Sequence, residues 1–183
     1  WRLKPKACKG NTAAMRNRGM SKREFEDFYL AHRTPCFRAL CVTVPSFAEA
    51  EELVAEGFTR AYANWTTVRK HPAPSAWVVR TALNLHRDNW RKRNTSKRHL
   101  VAVSESYEDV SEMLDPALLR QMRELPEQQL LVLIYRVLLD LSTEQTAAEM
   151  GIAPGTVSTH LKRALAALRE NIESQGHKEA VNE

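Results

Sequence analysis

Residues 141–169, LSTEQTAAEMGIAPGTVSTHLKRALAALR, decide the fold class. Ser142 followed three residues later by Gln145 is a capping box: the hydroxyl accepts a free backbone N–H at a helix start, and the amide reaches back. Ala147 is small where two helices must approach closely. Gly151 supplies the permissive backbone of a turn, and Pro154 suits the first turn of a second helix. On that second helix Val157, Leu161, Leu165 and Leu168 form an apolar stripe, which leaves Thr156, Ser158, Thr159, His160, Lys162 and Arg163 to face outward. This is the layout of a helix-turn-helix whose second helix enters a DNA major groove. The plainer explanation is an amphipathic hairpin with a solvated face, and DNA binding is the reading preferred over it.

Composition agrees with a nucleic-acid partner. The 183 residues carry a formal net charge of +5 and a pI near 9.3, which favours a polyanion. No apolar run approaches the length of a membrane span and no signal peptide is recognised, so a cytoplasmic protein is expected. The start at Trp1 rather than Met is that of a processed, trimmed or engineered N-terminus. Cys8, Cys36 and Cys41 cannot all pair with one another and lack metal-ligand spacing, so neither a metal nor a cofactor is expected. Cys36 and Cys41 fall in an apolar helical stretch, where cysteine packs as a small hydrophobe.

The uneven charge outlines the organisation. Residues 1–20 are basic and weakly apolar and read as a disordered arm. Ser21 and Glu24 form a second capping box, opening a helix with Phe25, Phe28, Tyr29, Phe37 and Leu40 on its apolar side and a stop at Pro45. Ser46 and Glu49 form a third, opening a helix through Leu53, Val54, Phe58, Ala61, Tyr62 and Trp65. Residues 66–75 hold two prolines and read as a loop, and a long helix runs from Ala76 to about Arg93. From Leu100 to Pro116 there are five acids and no Lys or Arg, the pattern of a flexible anionic linker. No strand-like alternation appears. The expected fold is all-α: two small helical domains at 21–95 and 115–173, a linker at 96–114, and a polar tail at 174–183.

Two helices carry opposite charge. Between Arg69 and His99 nine Lys/Arg residues stand against one Asp, with Trp77 and Trp90 interleaved. A basic face meets phosphates and aromatics offer stacking platforms to unpaired bases. Trp77 suits stacking and core packing equally, whereas Trp90 is expected to pack. The helix from Ser46 is acidic, with Glu49, Glu51, Glu52 and Glu56 against Arg60. Acids near a helix start complement its dipole, which explains Glu49 and Glu51 but less readily Glu56. Since DNA is repelled by such a face, its natural partner is a basic protein surface.

Three segments resemble the extracytoplasmic-function sigma factors, the minimal two-domain class of the sigma-70 family of bacterial transcription initiation factors. FEDFYLAHRTPCFRALCVTVPSFAEAEELVAEGFTRAYANW is similar to the first two helices of the family's region two, and PSAWVVRTALNLHRDNWRKR to its promoter-melting helix. LPEQQLLVLIYRVLLDLSTEQTAAEMGIAPGTVSTHLKRALAALR is similar to region four. Together they cover nearly everything from Phe25 to Arg169, in the family's order.

The resemblance implies roles. Glu49, Glu51, Glu52, Leu53, Glu56, Phe58 and Tyr62 would dock on the clamp helices of the largest subunit of core RNA polymerase. Region four would also engage the flap of the second-largest subunit. Thr67, Arg69, Lys70, His71, Trp77, Arg80, Asn84, Arg87, Arg91 and Arg93 would take the melted minus-ten element, one base being flipped into the loop. Thr156, Ser158, Thr159, His160, Lys162 and Arg163 would read the minus-thirty-five element as duplex. The acidic linker would thread the polymerase cleft, and an anti-sigma factor is a further implied partner; no membrane is. The family's usual Asp-Leu-Val-Gln-Glu becomes Glu52-Leu53-Val54-Ala55-Glu56, followed by Gly57.

A stand-alone helix-turn-helix regulator explains the C-terminal half but neither the basic, tryptophan-bearing helix nor the acidic linker. An enzyme is not expected: there is no metal-spaced cluster and no Gly-rich phosphate loop.

Overall fold

The computed structural model describes residues 11–95 and 115–180. Eight helices form among them, and no strand: α1 Asn11–Thr43, α2 Phe47–Ala63, α3 Trp65–Val68, α4 Pro74–Thr95, α5 Pro116–Arg123, α6 Glu127–Leu133, α7 Thr143–Met150 and α8 Pro154–Ala180. A π-helical turn, Ile134–Leu138, extends α6. The linker proposed at 96–114 lies outside the described residues, as do residues 1–10 of the arm.

Several boundaries depart from the sequence reading. Helix α1 begins at Asn11, so residues 11–20 are helical rather than a disordered arm and Ser21 is inside the helix instead of capping it. Ala13, Ala14, Met15 and Arg16 are strong helix formers that let α1 run on through Ser21. Pro35 also lies within α1, removing one ladder donor. The helix survives because both flanks are pinned: Phe25 and Phe28 pack on Trp65 at ring separations of 5.2 and 5.0 Å, and Cys36, Leu40 and Val44 are fully buried. The stretch 66–75 is not all loop, since α3 occupies part of it and Pro74 already opens α4. At the far end α8 runs through Ala180 and absorbs most of the tail.

Helices α1, α2 and α4 pack together around Leu40, Leu53, Phe58, Trp65, Val78, Val79 and Ala82. A second cluster joins α5 and α8 through Leu119, Met122, Leu125, Ala164 and Leu168, with Val42 of α1 inserted into it. The halves are not independent. Ile134, Tyr135, Leu139 and Leu141 are buried in the same cluster as Val78 and Val79. Arg123 of α5 donates from Nη2 to the carbonyls of Cys41 and Val44 at 2.8 and 2.9 Å, so a cation from one half satisfies carbonyls at the α1 C-terminus of the other.

Candidate nucleic-acid and polymerase interfaces

The turn between α7 and α8 is built as its residues dictate. Ser142 Oγ accepts from Gln145 N–H at 3.1 Å and Gln145 Oε1 accepts from Ser142 N–H at 2.8 Å, closing the capping box. Gly151 ends α7 at φ 66°, the left-handed conformation that glycine adopts without strain. Pro154 then opens α8. Val157, Ala164 and Leu168 are buried, while Thr156, Ser158, Thr159, Lys162 and Arg163 are exposed together. Two details differ from the sequence stripe. Leu165 is 48% exposed and Ala164 takes its place inward, because spacings of seven and eleven from Val157 follow the helical period more closely than eight. His160 is half-buried with a buried Nδ1 that has no hydrogen-bond partner, so it turns away from the free face. Ser158 and Thr159 donate their hydroxyls back to the carbonyls of Pro154 and Gly155.

On α4, Arg80, Asn84, Arg87 and Arg91 recur at spacings of four, three and four and share one side. Arg80 forms an ion pair with Glu149 and Arg87 one with Glu127. Arg93 falls in the last turn of α4. Trp77 is half-buried against the core, and Trp90, expected to pack, is instead 60% exposed. Val78, Val79 and Ala82 carry the inward face of α4, and Trp90 is not among the residues packed against that core.

The loop side is shaped by an aromatic cluster. Phe25, Phe28, Phe58, Tyr62 and Trp65 meet at ring separations of 4.9–6.5 Å. Beside it a cavity of about 490 Å³ opens between Glu24, Phe28, Trp65, Arg69, Lys70 and Pro74. Thr67, Arg69 and Lys70 are exposed, and Arg69 pairs with Glu24 at 3.0 Å. His71 accepts the N–H of Ala73 on Nδ1 at 3.1 Å, which turns Nε2 toward Glu149. Phe28 and Trp65 were absent from the sequence-derived site because helical periodicity placed them in the core. Trp65 Nε1 is buried without a partner, a polar handle beside the cavity.

On α2 the acidic face divides. Glu51, Glu52 and Glu56 are exposed, with Glu56 held by Arg60 at 2.8 Å. Glu49 is drawn inward instead, and His86 Nδ1 donates to its Oε1 at 2.9 Å. Leu53 and Phe58, counted among the polymerase contacts, are core residues and lack a free surface. Tyr62 is 54% exposed. Next to the acids, a cavity of about 390 Å³ is lined by Tyr29, Arg33, Thr34, Phe37, Glu51, Val54 and Ala55.

Two family models match these two halves. Residues 28–96 match the sigma-70 region 2 model and residues 116–168 the sigma-70 region 4 model. The RNA polymerase sigma-E factor of Streptomyces coelicolor is 32% identical over 152 residues, covering 81% of this chain and 86% of that protein. The chain belongs to the sigma-70 family, in its extracytoplasmic-function class. The ECF RNA polymerase sigma factor SigW of Bacillus subtilis is 28% identical, covering 75% of this chain and 80% of its own length. Among solved structures, the fold is similar to that of the sigma factor RpoE in complex with the anti-sigma factor NepR from Bartonella quintana. That match has a TM-score of 0.64 at 20% identity and covers 82% of this chain and 98% of RpoE. CnrH, solved with the cytosolic domain of CnrY, matches at a TM-score of 0.57 and 18% identity, covering 84% of this chain and 90% of CnrH. In this sigma factor, region 2 comprises the end of α1 with α2–α4, and region 4 comprises α5–α8. Among the described residues no helix is long and apolar enough to cross a membrane, and no group of three His, Cys, Asp or Glu side chains is placed to hold a metal.

Proposed function

We propose that this sigma factor docks on core RNA polymerase through the exposed acids of α2, reads the minus-thirty-five element with α8, and holds the melted minus-ten strand on α4 and the 69–73 loop that precedes it. The observation that carries this reading is the recognition face of α8. Thr156, Ser158, Thr159, Lys162 and Arg163 are exposed together behind a capped left-handed turn, while the opposite face is buried. Lys162 and Arg163 supply phosphate and base-edge contacts, and the hydroxyls of Thr156, Ser158 and Thr159 lie toward the N-terminal end of the same exposed face. On region 2, Arg80, Asn84, Arg87 and Arg91 line a track for a single strand. The cavity beside Phe28 and Trp65 suits a base taken out of the stack, whose unstacking costs a few kcal/mol that aromatic contact and phosphate neutralisation recover. Glu51, Glu52 and Glu56, beside the α1–α2 cavity, suit a basic polymerase surface, and the same surface suits an anti-sigma factor. The catalytic chemistry stays with the polymerase, and the protein acts in the cytoplasm.

Permanganate reactivity of promoter thymines tests the strand-opening role. With core polymerase, the wild-type chain makes thymines of the minus-ten element reactive. Arg80→Ala with Arg87→Ala keeps polymerase association and loses that reactivity. Wild-type opening by the double variant contradicts the α4 assignment.

A further inference from the structure

At about 100° of turn per residue, α8 gathers Val157, Ala164 and Leu168 on one side, where all three are buried. Thr159 and Lys162 stand opposite them, at the centre of the exposed face, with Thr156 and Arg163 along one edge and Ser158 along the other. A Cβ at Gly155, one turn before Thr159, would meet nothing within 4 Å, so the middle of the face is open to a partner.

The hydroxyls on this face are not equally free. Thr159 Oγ1 donates to the Gly155 carbonyl at 2.9 Å, and Ser158 Oγ to the Pro154 carbonyl at the longer distance of 3.3 Å. A hydroxyl has one proton and two lone pairs. With its proton committed to the helix backbone, the Thr159 side chain is held in one rotamer, and its oxygen has only lone pairs to offer a groove. A hydroxyl that rotates freely donates to one base edge or accepts from another. Thr159 accepts only. In the major groove the donors are the N6 amine of adenine and the N4 amine of cytosine, whereas guanine O6 and thymine O4 place lone pairs where those amines stand. Lys162, three residues on, has the opposite character, because an ammonium donates and cannot accept.

We propose that Thr159 is a specificity-determining residue of the duplex-reading face. Its oxygen accepts a hydrogen bond from the exocyclic amine of one base, and so selects adenine or cytosine over guanine or thymine at that position. The inference rests on the reading of α8 as the helix that enters the major groove. Lys162 cannot make this choice, since a donor favours guanine O6 and N7 or a phosphate.

The test uses the full chain to select duplexes from a library with a randomised core, and sequences those bound by the wild type, Thr159→Ser and Thr159→Val. Serine keeps the oxygen and its bond to the backbone; valine keeps the shape and loses the oxygen. The wild type and Thr159→Ser should enrich duplexes with one position restricted to adenine or cytosine on one strand. Thr159→Val should lose that restriction and keep the rest of the selected sequence. The selected duplex is then remade with an analogue that lacks the amine, purine in place of adenine or a pyrimidinone in place of cytosine. The analogue should weaken wild-type binding about tenfold and leave Thr159→Val binding unchanged. A restriction that survives in Thr159→Val, a lost restriction that falls on guanine or thymine, or equal losses from the analogue in both proteins overturns the proposal. Failure of the underlying reading is distinguishable: Lys162→Ala with Arg163→Ala then leaves duplex affinity unchanged, whereas it weakens binding when only the Thr159 assignment is wrong. Absence of any enriched sequence overturns both.

Discussion

Gly57 of α2 lies directly against Val78 of α4: a Cβ at Gly57 would stand 3.1 Å from Val78 Cγ1 and 3.2 Å from the Val78 carbonyl oxygen. The glycine that departs from the family's usual pattern is thus a point of close approach between the acidic and basic helices. Alanine is favoured over glycine by about 1 kcal/mol in a helix interior, but overpacking costs about 1–3 kcal/mol. Overpacking wins here because one of the crowded atoms is backbone and cannot turn aside. Gly57→Ala is expected to destabilise the protein by roughly 1 kcal/mol in denaturant unfolding, and the same change in a Val78→Ala background should cost less.

Lys162→Ala and Arg163→Ala act on an exposed face and should leave the melting temperature unchanged. Each is expected to weaken binding to minus-thirty-five duplex and to lower the slope of affinity against salt by about one. Fluorescence anisotropy across a salt series checks both, and unchanged slopes would remove these residues from the phosphate contacts.

Ser142→Ala removes the hydroxyl that accepts from Gln145 N–H and frees Glu144, whose carboxyl is held below its usual range by a hydrogen bond from its own backbone and another from Ser142. A loss of about 1 kcal/mol is expected from the cap. The Glu144 contribution is present at neutral pH and lost as pH falls, so the gap between wild type and variant should narrow in acid. Unfolding at neutral and acidic pH measures it.

Burial pushes the Cys36 thiol from an ordinary 9.0 up to about 12. A raised folded value stabilises below the unfolded value and is lost as pH rises toward the folded one, so stability should fall between about pH 9 and 12. Cys36→Ala is expected to flatten that decline. In a Cys8→Ser background the native chain should resist iodoacetamide at pH 8, and rapid alkylation of Cys36 under native conditions would contradict its burial.

What was legible in the sequence was local. The Ser142 box, the Gly151 turn and Pro154 need only neighbours within one turn, and each is formed as read, while the free face of α8 is formed as read except at His160 and Leu165. The same logic misplaced the α1 start, because a box at Ser21 cannot reveal that helix-forming residues upstream carry the helix past it. It could not place Glu49, whose carboxylate bonds His86 thirty-seven residues away instead of joining the acids of the free face. Nor could it find Glu149 on Arg80: no periodicity links α7 to α4, and their meeting depends on the shared core in which Ile134 and Tyr135 are buried with Val78 and Val79.

The most direct test of the central claim is co-elution of the purified chain with bacterial core RNA polymerase. The account predicts a stoichiometric complex that Glu51→Lys with Glu52→Lys weakens without unfolding the protein. Absence of any complex, with specific duplex binding by the chain alone, would contradict it and mark a stand-alone regulator.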